Sequence, residues 1–311
     1  MSNTRTILDK ADITSAALAA NGGLNTTQAM TFIRGLQDMP TLLRQMRVVD
    51  MPASKHTINK IGIGSRALHG ATAQTVGTYL ADAKRVGPTT RKIELNSKEV
   101  MAEVHIPYNV FEDNIEGNSL ESTILALLMD RVAIDLEDLA LNGDTTIDPA
   151  TDDFLCQCDG LLKRATSHVV DKTATPIAVT LDPFTLMLKA MPNKYLRERQ
   201  RMGFFVSPHA QIDYATWIAT RATGAGDARI VGDYEGIPAL GSAVRGVATM
   251  GNTKGLFMNP LNGIVGVQRN ISLEYDKDVR ARVFIFVLTL RVDIQMEETD
   301  AAVKILGLNV T

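Results

Sequence analysis

The sequence predicts an α+β fold, with a long β-hairpin and one long helix ahead of a mixed insertion and closing strands. Three observations carry this. Val100, Ala102, Val104 and Ile106 alternate with Met101, Glu103 and His105, the period-two pattern of a half-buried strand. Asn118 with Glu121 has the spacing of a capping box and Asn142-Gly143 supplies a stop, so residues 119–142 should form a helix about 36 Å long. Near the C-terminus Leu288, Leu290, Val292, Ile294 and Met296 alternate with Thr289, Arg291, Asp293, Gln295 and Glu297.

In chain order, residues 1–55 read as an arm rich in Ala, Asn, Thr and Gly. Two short helical pieces are expected in it, at 27–36 and 40–47, with Pro40 suited to a first turn. Neither can bury an apolar face alone. Residues 56–107 read as the hairpin. One strand is expected at 57–63. The return includes Ile93 and Leu95 and is best marked at 100–106. The connection from Gly64 to Thr90 carries Gly70, Gly77, Gly87 and Pro88 and is too long for a tidy turn, so it should project.

Residues 108–176 hold the long helix. Its stretch 124–129 is apolar nearly all round, while Asp130, Arg131, Asp135, Glu137 and Asp138 suggest a wetter second half. Residues 177–262 alternate helix and strand: a helix at 183–191, a strand at 204–207, a helix opened by Pro208, a loop at 223–227, and strand and turn at 237–247. Residues 263–311 are mostly strand.

Hydrophobic residues make up 45% of the 311 residues, enough for a sizeable core. The net charge of -3 argues against a protein whose main task is gripping phosphate backbones. The longest strongly apolar run, residues 283–288, is far short of a membrane span. The N-terminus has no signal-peptide core, so cytoplasmic synthesis is expected. Cys156 and Cys158 are read as free thiols of a reducing compartment.

The search for chemistry returns no catalytic, cofactor-binding or metal-binding candidate. The nearest approach to a phosphate loop, Gly246 to Gly251, is followed by Asn252-Thr253 and lacks the lysine. His56, His69, His105, His168 and His209 are scattered, with no metal-binding spacing on a helix. Asp144, Asp148, Asp152, Asp153 and Asp159 lack a calcium-loop register and are read as a solvated loop. Lys60, Lys84, Arg85, Arg91 and Lys92 make the hairpin basic. With Tyr79 its one interleaved aromatic, this suits intersubunit ion pairing better than nucleic acid.

The order of elements is similar to the Hong Kong 97 fold of tailed-bacteriophage major capsid proteins. Thr90-Arg-Lys-Ile-Glu-Leu-Asn-Ser-Lys-Glu-Val-Met-Ala-Glu-Val-His-Ile-Pro resembles the return strand of that family's extension loop. Residues 120–144, ending Glu137-Asp-Leu-Ala-Leu-Asn-Gly-Asp, resemble its spine helix, and Cys158-Asp-Gly-Leu-Leu its entry to the axial domain. Phe204-Phe-Val-Ser-Pro with Ile237-Pro-Ala-Leu-Gly resembles that domain's centre, and residues 282–293 with Ala301-Ala-Val its closing strands.

The resemblance covers about residue 55 to the end. It implies an N-terminal arm (1–55), an extension loop (56–107), a peripheral domain with the spine helix (108–176), an axial domain (177–262) and closing peripheral strands (263–311). It also implies a structural protein of the virion, not an enzyme, with no cofactor. Copies of the chain would form pentamers and hexamers of an icosahedral shell around double-stranded DNA, in non-specific contact with it. Portal, scaffolding or decoration proteins would be partners, and no membrane. Two alternatives stay open: an encapsulin-like compartment, and a soluble α/β enzyme with a distributed site.

Overall fold

The structure is a computed structural model that describes residues 42–63, 66–69, 85–108, 120–220 and 236–310. The helical piece expected at 27–36, the cap at Asn118, the loop 223–227 and most of the connection between Gly64 and Thr90 lie outside them.

The described chain starts in the core. Leu42 is fully buried, and a 3-10 turn, Leu43–Gln45, leads into strand β1 (Arg47–Asp50). Over the described part of the helix expected at 40–47, residues 42–47, that turn is all that forms. Leu42, Leu43 and Met46 bury against the long helix, and Arg47–Asp50 finds a parallel strand partner that satisfies its backbone groups.

Strands β2 (Lys55–Gly62) and β3 (Thr89–Asn96) form the hairpin, in register from Lys55↔Asn96 to Gly62↔Thr89. Ser97 interrupts the return, and β4 (Lys98–Pro107) does not pair with β2. This corrects the expected hairpin: the well-marked segment 100–106 leaves it for another sheet. Its alternation is as expected, with Met101, Glu103 and His105 exposed.

Helix α1 (Leu120–Asn142) follows, ending at the expected Asn142. The expected wetter second half is overturned: Ala133, Leu136, Glu137, Leu139, Ala140 and Leu141 are all buried. Of the apolar ring expected at 124–129, Leu128 and Met129 are the described side chains, and both are half-buried. Gly143 ends the helix, though not through a left-handed backbone. A Cβ there would lie 2.4 Å from the Cys158 carbonyl oxygen and 2.6 Å from that of Leu139, so close backbone approach demands glycine.

Beyond lie α2 (Leu161–Arg164), β5 (Val169–Asp171), β6 (Ile177–Ala178), α3 (Asp182–Ala190), β7 (Gly203–Val206), α4 (Pro208–Ala219), β8 (Ile237–Ala239), β9 (Ser242–Gly246), β10 (Lys254–Met258), β11 (Gly263–Asp278), β12 (Val283–Met296), β13 (Ala302–Leu306) and β14 (Leu308–Asn309). α4 is capped by the Ser207 hydroxyl accepting from Ala210 N, with Pro208 at its first position.

Two bodies result. In the first, a four-stranded sheet in the order β1-β11-β12-β4 packs its apolar face on α1, through Leu288, Leu290, Val292, Ile294 and Met296. In the second, a mixed six-stranded sheet in the order β5-β13-β10-β7-β9-β8 carries α3 and α4. Its core is aromatic: Phe184 meets Phe204 and Tyr214 edge-on at 4.9 and 4.8 Å, and Phe204 stacks on Phe257 at 4.3 Å. The strand at 302–306 was expected among the closing strands of the first body. It pairs instead with β10 and β5, because Val303 and Ile305 complete the apolar core of the second.

Candidate assembly surface

The hairpin leaves the body over a small apolar seat. Met51, Ile93, Leu95 and Ile264 are buried together there, with Val49 and Ile58 against them. That seat covers the base only. Farther out, Ile61, Ile63 and Leu68 stand 72, 64 and 86% exposed. Ile61 lies near the end of the two-stranded ribbon and Ile63 and Leu68 just beyond it; side chains this bare have no partner within the described subunit, and such a ribbon is marginal alone.

The polar side of β12 is where the hairpin is fastened. Residues 291, 293, 295 and 297 share one side of the extended chain, and each holds something different. Arg291 donates through Nε and Nη2 to Glu99 Oε2 at 2.9 and 2.6 Å. Asp293 Oδ2 accepts from Asn96 N at 2.7 Å. Gln295 Nε2 donates to Glu94 O at 2.9 Å. Glu297 Oε1 and Glu298 Oε1 take Lys60 Nζ at 2.8 and 2.5 Å. Arg47 Nη1 reaches Glu297 Oε2 at 3.3 Å, and the Tyr195 hydroxyl donates to Glu298 Oε2.

Electrostatics follow from these contacts. Burial pushes the Asp293 carboxyl above its usual value, against the pull of the Asn96 and Ile294 N–H groups and the nearby Arg164 charge. Burial pushes the Cys158 thiol up to about 12, with Asp293 adding to it. Burial alone would raise Glu298 and lower Lys60; their mutual hydrogen bonds, with Tyr195 on the Glu298 side and Glu297 on the Lys60 side, reverse both directions.

The hairpin was expected to spend its basic residues on neighbouring subunits. For Lys60 that is corrected, since its ammonium is used inside the subunit.

The acidic loop folds onto its own backbone. Asp144, Asp148 and Asp152 accept from N–H groups two residues on, and Asp159 accepts from Thr145 N and Oγ1 at 2.9 and 2.8 Å. Asp144 also pairs with Lys163 at 3.0 Å, and its carboxyl is held down to about 2, chiefly by the Thr146 hydroxyl. Among the described residues no group of His, Cys, Asp and Glu could hold a metal ion. Residues 246–251 form a turn whose Val247 and Met250 are buried, not a phosphate cradle. Both cysteines are free thiols. No helix among the described residues is long and apolar enough to cross a membrane.

Two structural anchors escaped sequence reading. Asp293 lies on the polar side of the alternation and is nevertheless 5% exposed; nothing in a period-two pattern reveals that the hairpin returns over that face. Glu137, 4% exposed, did leave a signal: it lies four residues from both Ala133 and Leu141, on the helix's apolar side.

No protein-family model matches the chain. A putative prophage capsid protein, YqbE of Bacillus subtilis (strain 168), is 39% identical over 96% of this chain and 97% of its own. Among solved structures, the satellite phage P4 procapsid including size determination (Sid) protein superposes with a TM-score of 0.69 at 14% identity, over 100% of this chain and 99% of that one. The SrpI encapsulin of Synechococcus elongatus PCC 7942 does so with a TM-score of 0.59 at 14% identity, over 96% of each.

Proposed function

The chain belongs to the phage capsid proteins and has their Hong Kong 97 fold, and from that premise we propose that copies of it assemble as pentamers and hexamers into an icosahedral shell around double-stranded DNA. Its role is structural. The observation that carries the assembly reading is the hairpin: seated at its base, bare and aliphatic at Ile61, Ile63 and Leu68. Laid on a neighbouring copy, those side chains leave water and close a lattice contact.

In this reading the body around the six-stranded sheet takes the axial place near the symmetry axes, and the body around α1 takes the peripheral place. The net charge of -3 suits a wall that touches DNA without gripping it. A portal, and scaffolding or decoration proteins, are the further partners. The chain would be made in the host cytoplasm and end in the virion. An encapsulin shell shares the fold, but the prophage relative at 39% identity favours the phage.

The test is the combined variant Ile61→Ser and Ile63→Ser. A native circular dichroism spectrum with particles lost or sharply reduced is the expected result. Particle yield equal to the parent's would overturn the docking role of the hairpin.

A further inference from the structure

The foot of the hairpin is seated through Ile93 and Leu95, where Gln295 also holds Glu94 O, and two further groups of bonds flank that seat. The first group is at the corner between β3 and β4. Asn96 N donates to Asp293, Ser97 N donates to Ser54 O at 2.9 Å, and the Ser97 hydroxyl meets Gln268 Oε1. Backbone groups of two consecutive residues are thus held from β12 and from the β1–β2 connection. The second group lies on the other strand of the hairpin. Lys60 is held by Glu297 and Glu298, which are themselves tied to Arg47 of β1 and Tyr195 of the second body. Asn262 fixes the backbone beneath: its side chain accepts from Glu298 N at 2.9 Å and donates to Glu298 O at 2.9 Å.

The two groups differ physically. Asp293 is 5% exposed and bonds backbone, so it cannot let go without leaving a buried carboxylate short of a partner. Lys60 and its two glutamates are side chains, with 38, 24 and 22% of their surface exposed. When they part, water can reach all three. One contact is therefore costly to open and the other cheap.

We propose that the polar side of β12 is a two-point joint that positions the hairpin, with Asp293 as a fixed pin at Asn96 and Glu297–Glu298 as a releasable latch on Lys60. With the latch closed, the hairpin has the direction seen in the structure. With it open, the hairpin beyond the seat of Ile93 and Leu95 changes direction, while the seat, the Asn96–Ser97 corner and the fold of the subunit stay as they are. The residues involved are positioning residues. The purpose of the hairpin's direction, to meet a neighbouring copy, rests on the assembly reading above; the joint itself does not.

The experiment uses full-length, unassembled subunits in a Cys156→Ser background. Spin labels are placed on the exposed hairpin position Thr90→Cys, beyond Lys60, and the exposed helix position Arg131→Cys, and the distance between them is read by pulsed electron resonance. The parent should give one narrow distance. Lys60→Met should broaden and shift it with native circular dichroism retained, and Lys60→Arg should restore the narrow distance. A parent-like distribution in Lys60→Met overturns the joint. A parent that shows the latch-dependent distance yet never forms shells would overturn the assembly reading and leave the joint standing.

Discussion

The backbone N–H of Leu42 donates to Glu137 Oε1 at 2.6 Å, joining residues 95 positions apart inside the core. A carboxylate on the buried side of a helix takes the place of a strand or helix partner for the segment that leads into β1. The acceptor is what lets Leu42, Leu43 and Met46 lie against α1 without stranding an amide.

Glu137→Ala removes that acceptor and leaves a buried N–H. The expected loss is about 1–3 kcal/mol in denaturant unfolding, with Glu137→Gln, which keeps a carbonyl oxygen, losing less. Equal stability of Glu137→Ala and the parent would show the contact to be dispensable.

Gly143→Ala tests the close approach at the end of α1. The new Cβ meets two backbone oxygens rather than a movable side chain, and Gly160 N donates to Gly143 O at 2.8 Å just beyond. Relief requires moving backbone, at about 1–3 kcal/mol. A thermal melt should show a lower midpoint than the parent's.

The two cysteines should separate by reactivity. Cys158 is 4% exposed and its thiol is pushed up to about 12, so it carries almost no thiolate at pH 8. Cys156 is half-buried. Mass spectrometry after brief maleimide treatment should find one adduct, at Cys156, on the folded protein and two after unfolding. Modification of Cys158 in the native state would contradict its burial.

The latch should have a defined pH range. Glu298 is held below its ordinary 4.5, so its contribution is present above that value and is lost as pH falls through the folded one. Lys60 is held above its ordinary 10.5, so its contribution is complete below that value and lost as pH rises through the folded one. The difference in hydrogen-exchange protection at β2 between the parent and Lys60→Met should be flat around neutrality. It should vanish in acid below the usual glutamate range, and shrink with added salt.

How much of this was legible in the sequence depended on where each partner came from. The Asn142-Gly143 stop located the end of α1 and period-two alternation found the buried side of β12 at all five positions, because both signals sit within one element. Alternation misplaced β4, since it says which side of a strand is buried and nothing about which strand lies beside it. It missed the entry at 42–50 for a related reason: Arg47–Asp50 becomes a strand only because β11 offers an edge more than 200 residues later. The candidate assembly surface was half visible. A projecting hairpin was expected, yet its fastening to β12 depends on Asp293 and Lys60, whose partners lie far off in sequence.

The most direct measurement is electron microscopy of the purified full-length protein with symmetry-resolved particle averaging. The account predicts closed shells with five-fold and six-fold capsomers, in which the hairpin of one copy lies on the next and Ile61 and Ile63 are covered. A monodisperse monomer or small oligomer at high concentration, with those side chains still in water, would contradict it.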